Sequence, residues 1–485
     1  MKKLIIAFFA FALPYMAFAQ TEGIIINTNY KSVRGIGSSV KFNDHLSAFE
    51  VDTKGGAFDV VAVNDNFQIA WQTSFDGYGV SIGRFKDKLL VLSTTEYGEF
   101  VGYGNTYKAF ILDPATGNKL LEKVIYDDGK DYIEIPQVFI ADNYFKLVIR
   151  KTNLKRKMHI ELHQDEDYST SQKLQILDFN DKLEPINTCD AVINGYFINA
   201  ACNKNGDAFL AWLNGPDIEV YKYPAGKTAP ARQLNADVAI KPKYNSSLKD
   251  LILLKTSPTR PDNLYYTLLY RNENNDPEMM LGKMDFEKGT KKAITNVFVN
   301  DDIKALEKGF TPVNPQIKSA DLGNAKELGM KGLFVSDNTV GVSLQGGYML
   351  VGSYNSSTKG FSVLYNIYDD DLNMKSQPIL PGSFRYLNAG VPANSNRIEK
   401  DKLFVTSNIG KGIMGNSNIG FYAILNLVTG QWEKMELIGN KSHTGFMDSD
   451  YVIWFDKGFI APYLMGGTGG FGYISYRLML QGVQY

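Results

Sequence analysis

One pattern recurs six times along the chain and constrains the fold more than any other feature. It consists of three to five mostly apolar residues, an Asp or Asn, a short turn that often contains Gly, and a segment in which Lys or Glu alternates with other residues. The copies are AFILDPATGNKLLEKVI from Ala109, LQILDFNDKLEPI from Leu174, LAWLNGPDIEVYKY from Leu210, LGKMDFEKGTKKAI from Leu281, LYNIYDDDLNMKSQ from Leu364 and YAILNLVTGQWEKM from Tyr422. Each copy predicts two antiparallel strands joined by a turn.

A second kind of hairpin precedes most of these copies. It has an apolar strand, an Asp or Asn turn and a very apolar strand, as in RFKDKLLVLSTT, VFIADNYFKLVIRK, AVINGYFINAA, RIEKDKLFVTSN and VIWFDKGFIAPYL. Two hairpins make a four-stranded antiparallel sheet, which cannot bury both of its faces alone but can do so between two like neighbours in a ring. The sequence therefore predicts an all-β protein, a β-propeller of seven or eight four-stranded blades, with seven preferred.

The two ends of the chain carry strands without hairpin partners. EGIIINTNY follows the N-terminal leader, and YISYRLMLQG closes the chain. We expect these strands to pair within one blade, because such pairing closes the ring and removes an exposed sheet edge. Helix signals are sparse: NDDIKALEKGF predicts a short helix from Asn300 that stops at Gly309, and NAKELGM predicts a brief one, both within a connection between blades.

The first 20 residues, MKKLIIAFFAFALPYMAFAQ, have the features of a secretory signal peptide. Two lysines precede a short apolar run, and small residues precede a cleavage site near Ala19. The predicted organisation is thus a signal peptide over residues 1–19 and a single propeller domain over residues 20–485, located in the periplasm or secreted. Both cysteines lie far downstream of the cleavage site, so a lipid anchor is not expected, and no later segment reaches the roughly 18 apolar residues of a membrane helix.

The charge balance bears on the choice of partner. The chain has 51 basic and 52 acidic residues, so no global field would draw it to nucleic acid. For an exported protein, an envelope protein or a glycan is the expected partner. We expect a monomer.

Two copies of the repeat also carry a recognisable turn. ILDPATGNKLL, Ile111 to Leu121, and ILNLVTGQWEK, Ile424 to Lys434, resemble the signature strand of secreted quinoprotein-like propellers. That resemblance implies a propeller, and it covers both cofactor-dependent dehydrogenases and non-catalytic scaffold proteins of bacterial envelopes. The chain lacks the adjacent cysteine pair of many of those dehydrogenases and has four tryptophans. The resemblance therefore implies the architecture and no cofactor.

His159, Glu161 and His163 alternate in KMHIELHQDED and would share one face of a strand. The two histidines would lie about 13 Å apart along a straight strand, too far to share one zinc ion unless the strand bends. The other residues of this phase are polar as well. A solvated sheet face is therefore favoured over a zinc site.

Asp369, Asp371 and Asn373 have the D-x-D-x-N spacing of a calcium loop. The glycine and the bidentate glutamate of such loops are replaced by Met374 and Leu380. A polar hairpin turn is therefore favoured, and no cofactor is expected, with calcium and zinc retained as alternatives.

Cys189 and Cys202 flank DAVINGYFINAA, which reads as a hairpin around Asn194-Gly195. A two-residue turn would make the two cysteines diagonal neighbours, whose separation exceeds the roughly 3.5–4.5 Å between Cβ atoms in a disulfide. A bulge or a longer loop would place them directly opposite. The sequence leaves both a disulfide and a pair of free thiols open.

The sequence offers no catalytic motif, since G-x-S-x-G and phosphate-binding glycine loops are both absent. A binding or scaffolding propeller that uses loops at one end of its channel is the favoured function. Candidate ligand-binding residues are aromatic side chains in or beside loops, with burial between blades as the alternative for each: Trp71, Tyr78, Tyr103, Tyr348, Tyr354, Phe471 and Tyr473. The competing function is a carbohydrate-active enzyme, a lyase or hydrolase, with acidic residues at the channel mouth.

Overall fold

The structure is a computed structural model. It describes residues 23–485 except residues 27, 29, 54, 96–102, 105, 130–132, 135, 152–170, 215–216, 237–251, 318–319, 347–361, 383–396, 412–416, 440–444 and 469–474. The predicted signal peptide lies outside the described residues. Within the described part, no helix is long and apolar enough to cross a bilayer.

The described strands form eight antiparallel sheets, the blades, and one small extra sheet. Blade 1 contains β2 (Gly35–Asn43), β3 (Leu46–Asp52), β4 (Ala57–Asn64) and β5 (Ile69–Asp76). Blade 2 contains β6 (Tyr78–Phe85), β7 (Lys88–Thr94), β9 (Thr106–Leu112) and β10 (Lys119–Asp127). Blade 3 contains β12 (Gln137–Ala141), β13 (Tyr144–Lys151), β14 (Ser171–Phe179) and β15 (Pro185–Asn194), and blade 4 contains β16 (Tyr196–Cys202), β17 (Ala208–Asn214), β18 (Asp217–Tyr223) and β19 (Arg232–Asn235). The extra sheet pairs β8 (Tyr103–Gly104) with β11 (Ile133–Glu134).

The second half of the ring repeats this plan with two variations. Blade 5 contains β20 (Ile252–Thr256), β21 (Asn263–Arg271), β22 (Pro277–Asp285) and β23 (Thr290–Val297). Blade 6 contains β24 (Gly329–Val335), β25 (Thr339–Gln345) and β26 (Val363–Asp369), and its fourth position is shared by β27 (Met374–Ser376) and β28 (Ile379–Leu380). Blade 7 contains β29 (Arg397–Glu399), β30 (Lys402–Lys411), β31 (Ser417–Asn426) and β32 (Gln431–Leu437). Blade 8 has β33 (Gly445–Met447) and β34 (Ile453–Phe455) sharing the first position, followed by β35 (Gly458–Thr468), β36 (Ser475–Gln484) and β1 (Ile24–Ile26).

The ring closes in blade 8, where the two ends of the chain meet. Strand β1 pairs antiparallel with β36, and Val33 forms a further bridge with Tyr476. The expectation that the terminal strands share a blade is thereby confirmed. The number of blades is eight, the larger of the two numbers that the sequence allows.

The core is divided into eight clusters of buried apolar side chains, one in each gap between neighbouring blades. In blade 1, for example, Phe49 and Val51 pack toward blade 8, whereas Ala48 packs toward blade 2. Each sheet therefore buries both of its faces, which is the physical reason for a ring.

The two ends of the channel differ in their connections. First strands of neighbouring blades, such as β2 and β6 or β16 and β20, contact one another around the channel. The blades are related by rotation, so their first strands all run in the same direction along the channel. We call the end where the first strands finish the tight-turn face, since its connections have two to eight residues. The opposite end, the long-connection face, has connections as long as residues 152–170 and 298–328.

The recurring Asp or Asn of the repeat shapes the turns. The side chains of Asp285, Asp369 and Asn426 each accept hydrogen bonds from two backbone N–H groups further along their own turns. Asn64 and Asn180 make the same bonds in other tight turns. Such Asx turns stabilise a tight reversal of the chain. Asn203 makes the same bonds in a turn between a first and a second strand.

Ion pairs join neighbouring blades at the tight-turn face. Lys222 of blade 4 pairs with Asp207 at 3.1 Å and with Asp262 of blade 5. Asp370 of blade 6 accepts from Arg260 at 2.6 Å and from Lys283 at 2.8 Å, both of blade 5. Charges at this face are thus used to hold blades together.

The predicted helix is present as α1 (Asn300–Gly309), which buries Ile303, and the second helical segment is one 3-10 turn at Ala325–Glu327. One predicted hairpin is wrong. Strand β15 pairs with β14, and β16 pairs with β17, so AVINGYFINAA is the crossing from blade 3 to blade 4 rather than a hairpin. A propeller requires such crossings, and their turns look like hairpin turns in the sequence.

This correction changes the relation between the two cysteines. Cys189 lies on the outer strand of blade 3 and Cys202 on the inner strand of blade 4, and both are free thiols in the structure. The Cys189 thiol donates to the carbonyl oxygen of Thr228 at 3.2 Å. Burial raises the pKa of both thiols, which keeps them protonated.

Candidate functional site

Four of the first strands have a β-bulge at the same position, their third residue. The bulged residues are Gly37, Val80, Ile198 and Lys331. Bulges bend a strand, redirect side chains and are frequent next to functional sites. All four lie near the long-connection face, and Lys331 is the charged member of the set.

The inner edge of blade 8 is interrupted more strongly. Met447 pairs with Tyr463 and Ile453 pairs with Ile460, so the inner chain has extra residues between these pairs. The extra residues form a 3-10 turn, Ser449–Tyr451, that contacts strand β2 of blade 1. This turn, with Asp448 before it, places two carboxylates beside the channel.

Blade 1 contributes a buried carboxylate close to the same turn. The Glu50 side chain is completely buried between blades 1 and 2, and the Ser38 hydroxyl donates to its Oε2 at 2.5 Å. Its Oε1 has no hydrogen-bond partner among the described residues. Glycine is required at two neighbouring positions, because a Cβ atom at Gly37 or Gly79 would lie 2.2 or 1.8 Å from this oxygen.

The electrostatic interactions show that these groups converge. Burial and the charges of nearby carboxylates raise the pKa of the Tyr451 phenol, and those carboxylates are Asp448, Asp450, Glu50 and Asp52. Desolvation lowers the pKa of Lys331 on blade 6, and Asp450 and Asp448 on blade 8 oppose this effect. Blades 6 and 8 are not neighbours, so this interaction crosses the mouth of the channel. We use the name channel-mouth cluster for Glu50, Asp52, Asp448, Asp450, Tyr451 and Lys331, together with Arg34.

The carboxylates of the cluster titrate close to neutral pH. Burial raises the pKa of Glu50 to about 8 and that of Asp52 to about 6, with Arg34 opposing the shift of Asp52. Burial and the neighbouring Asp450 raise the pKa of Asp448 to about 7. Perturbed ionisable groups gathered in one concave region are typical of functional sites. Such groups can bind cations or transfer protons.

The direct pairing of these charges is incomplete. Within the described part of the chain, Lys331, Asp448 and Asp450 form no ion pair shorter than 4 Å. Asp450 is exposed to solvent, although the surrounding protein raises the pKa of its carboxyl. The Asp450 side chain therefore meets solvent on one side and protein on the other.

The aromatic candidates divide into two groups. Trp71 lies on the outer strand β5 and is buried between blades 1 and 2, where its Nε1 donates to the carbonyl oxygen of Pro114 at 2.7 Å. Tyr78 begins strand β6 and is half-buried at the long-connection face. Tyr103 begins β8, and its side chain lies outside the described residues, as do Tyr348, Tyr354, Phe471 and Tyr473. The strands that flank these five residues end at the long-connection face.

The residues of the two alternative metal sites differ in whether the structure describes them. His159, Glu161 and His163 lie outside the described residues. Asp369 accepts the backbone N–H groups of Asp371 and Asn373, both at 2.9 Å, and the Asn373 side chain at 3.0 Å. Asparagines make the same turn in other blades, so the geometry of this turn does not require a metal. In the described part of the chain, no group of three or more His, Cys, Asp or Glu residues is placed to hold a metal ion.

Sequence reasoning missed the channel-mouth cluster. One signal was present, since Glu50 is a lone acid inside the apolar strand LSAFEVD. Asp448 and Asp450 stand in FMDSDYV, which resembles an ordinary turn. Only the closed ring brings these residues near Lys331.

A second concavity lies at the rim, remote from the channel. It is an open cleft of about 480 Å³ between blades 3 and 4, lined among others by Asp190, Glu219, Tyr221 and Gln233. The Tyr221 hydroxyl already donates to Glu219 at 2.6 Å. The cleft shares no residue with the channel-mouth cluster.

Known proteins resemble this chain distantly, in structure rather than in sequence. No family model matches the chain, and no curated protein matches it. Similar solved structures include the Dos1 propeller (9% identity, TM-score 0.36, covering 92% of this chain and 77% of the other) and the WD40 domain of SCAP from fission yeast (10%, 0.39, 94% and 96%). Another is the β-propeller domain of the Trilobed protease from Pyrococcus furiosus (8%, 0.38, 80% and 92%). These neighbours are β-propellers, and the likeness concerns the fold alone.

Proposed function

We propose that the protein is an exported binding propeller that recognises an envelope protein or a glycan with its long-connection face. The observation that carries this proposal is the location of the channel-mouth cluster. Its incompletely paired charges lie on the inner chain segments that line the channel, and the bulges at Gly37 and Lys331 lie toward the end with the longest connections. Binding residues are commonly found on loops above such a rigid scaffold. At the opposite face, charges are used in ion pairs between blades.

Export is part of the proposal and has its own test. The signal-peptide features of residues 1–19 support it. N-terminal sequencing of protein recovered from a periplasmic or culture fraction should give a chain that begins near Gln20. Recovery from the cytoplasm with Met1 intact would contradict export.

The binding face is tested with matched changes at the two ends of the channel. In one variant, an Asn-Gly turn replaces residues 152–170, a connection of the long-connection face. In the control, Lys182 and Asp181 at a tight turn of the same blade are both changed to serine. Co-sedimentation with cell-envelope vesicles and binding to a glycan array should weaken for the first variant only. Equal binding by both variants would contradict the proposed face.

A second function, a carbohydrate-active enzyme, is favoured by one observation. The carboxyl groups of Asp448 and exposed Asp450 are adjacent along the turn, and the pKa of Asp448 is raised to about 7, a range suited to a proton donor. Glu50 is fully buried and is not placed to touch a substrate. If the protein is an enzyme, incubation with polysaccharides should release reducing ends or unsaturated sugars, and D448N should abolish the release. No release from a broad polysaccharide panel would exclude this function for those substrates.

A further inference from the structure

We propose that the channel mouth binds a cationic group of its ligand, an alkylammonium or a guanidinium. This inference rests on the proposed function, since it names the chemistry recognised at the same face. The ligand could present such a group as a free polyamine or as a Lys or Arg side chain of a partner protein, and the experiment below separates the two sources.

The balance of charge in the cluster favours a cation. Four carboxylates, from Glu50, Asp52, Asp448 and Asp450, act on the Tyr451 phenol. The basic groups that act on these carboxylates are Lys331 and Arg34. When all of these groups are ionised, the cluster therefore has an excess of negative charge. An entering cation gains favourable interactions that the protein itself does not supply.

One buried carboxylate oxygen of the cluster lacks a partner among the described residues. The Oε1 atom of fully buried Glu50 has no described hydrogen-bond partner, and it lies beneath Gly37, the exposed bulge of the channel wall. A buried carboxylate oxygen without a partner costs about 1–3 kcal/mol or more. A ligand bound at the bulge could reduce this cost through the electrostatic interaction alone.

The spacing of the acids disfavours a bare metal ion and favours an organic cation. The described part of the chain has no group of three acids or other ligands close enough to hold a metal. An ammonium or guanidinium group is larger, and it binds through several N–H donors directed at separate carboxylates. The acids come from blades 1 and 8, on one side of the channel, whereas Lys331 reaches in from blade 6.

Cation binding at this cluster should depend on pH, because it is linked to the release of protons. A cation favours the ionised carboxylates, so its binding releases protons from groups that are partly protonated near neutral pH. Affinity should increase as the pH rises through the range of about 6 to 8 that covers Asp52, Asp448 and Glu50. Loss of the Lys331 proton at higher pH acts in the same direction. Arg34 also faces Asp52 among these carboxylates, and Tyr451 stays neutral because its pKa is raised.

The experiment is isothermal titration calorimetry with full-length protein and three probes. Spermidine represents a free polyamine, acetyl-Lys-Gly-Lys-amide a basic segment, and acetyl-Glu-Gly-Glu-amide the opposite charge. We expect one of the cationic probes to bind about tenfold more tightly at pH 8 than at pH 6 and the acidic probe not to bind. Tighter binding of spermidine identifies a polyamine as the source, and tighter binding of the Lys peptide identifies a protein partner. Failure of both cationic probes, or binding of the acidic probe, would overturn the inference.

Matched variants locate the site. The double variant D448N/D450N should lose at least tenfold in affinity, and K331M should gain several-fold because it removes a competing cation. D181N, an exposed acid of a tight turn, should bind like the natural protein. Thermal unfolding confirms that each variant is folded, and the isosteric amides relieve repulsion rather than create it. Unchanged affinity in D448N/D450N would place any cation binding elsewhere and overturn the inference.

The outcomes separate this inference from the proposed function. If the cationic probes do not bind but replacement of residues 152–170 still abolishes envelope binding, the proposed function stands without the cation. If the probes bind as expected but envelope binding does not depend on the long-connection face, the cation site stands and the proposed function falls.

Discussion

The tight-turn face and the channel-mouth cluster use charged residues in opposite ways. At the tight-turn face, Asp370 contacts Arg260, Lys283 and the Tyr265 hydroxyl, so its charge is satisfied by a neighbouring blade. Beside the channel, Asp448 and Asp450 have no such direct pairs within the described residues. Paired charges stabilise the contact between blades. Unpaired carboxylates repel one another, and a bound ligand of opposite charge can reduce that repulsion. Under the proposed function, the paired charges of the tight-turn face stabilise the scaffold, and the unpaired charges of the channel-mouth cluster serve recognition.

The titration behaviour of the acids reflects the same difference. Hydrogen bonds from Lys283, Tyr265 and Arg260 hold the pKa of Asp370 at about 2 despite its partial burial. Burial raises the pKa of Asp448 to about 7, because Lys331 opposes the shift only weakly. An acid with strong partners is ionised at all physiological pH values, and an acid without them responds to pH and to ligands.

The largest expected effect is the loss of the buried ion pair near the tight-turn face. Lys146 pairs with Asp178, and their side chains are 2% and 12% exposed. Lys146→Met leaves this carboxylate buried without its cation, so the free energy of unfolding should fall by about 3–5 kcal/mol in urea denaturation. The double variant K146M/D178L should recover most of the loss, because an apolar pair replaces the charges. A small effect of K146M would mean that this face does not depend on its ion pairs.

Asp370→Asn should have the next largest effect. The amide keeps the shape of the side chain but removes the charge that faces Lys283 and Arg260, of which the latter is partly exposed. We expect the free energy of unfolding to fall by about 2 kcal/mol. Asp450→Asn at the opposite face is the matched control and should leave the stability unchanged or slightly higher. Equal losses for the two variants would break the contrast between the faces.

Glu50→Gln tests whether removing a carboxylate from the channel-mouth cluster stabilises the folded protein. The pKa of Glu50 is about 8 in the folded protein, against an ordinary 4.5. The folded form therefore holds a proton that the unfolded form releases, and stability should fall as the pH rises through this window. At about pH 8.5 the variant should be more stable than the natural protein by roughly 1–3 kcal/mol, and at about pH 5 the two should be equal. Chemical denaturation at several pH values measures this, and parallel pH profiles would contradict it.

The smallest expected effect concerns the Asx turns. Asn180 accepts backbone hydrogen bonds from Lys182 and Glu184, both at 2.9 Å. Asn180→Ala should lower the free energy of unfolding by about 1 kcal/mol. Asp369→Asn should have almost no effect, because asparagine makes the same turn elsewhere, and added calcium should not raise the melting temperature of the natural protein. Stabilisation by calcium that D369N removes would revive the metal interpretation.

The sequence was sufficient for features that are local or periodic. Alternation of apolar residues predicts the strands, and the recurring Asp or Asn predicts the turns, because each signal lies within one hairpin. The need to cover two apolar faces then predicts the ring. The wrong hairpin at Asn194-Gly195 shows the limit of local signals, since a tight turn reads the same whether it connects two strands of one sheet or of two.

The candidate site could not be predicted in the same way. Glu50, Lys331 and Asp450 lie far apart in the sequence, and only ring closure brings their blades around one channel. Their unusual properties come from burial and from mutual repulsion, which are properties of the assembled molecule. The bulge at Lys331 likewise arises from the pairing of strand β24 with strand β25, and the sequence KGLFV does not predict it.

The seam between β1 and β36 also has a consequence for biosynthesis. Strand β1 precedes every other described strand, yet its partner β36 follows all of them. Until β36 has been made, the isoleucines Ile24, Ile25 and Ile26 have no strand to join, and blade 8 stays incomplete. Closure of the ring must therefore wait for β36, and during that interval an apolar edge is available to chaperones or to aggregation.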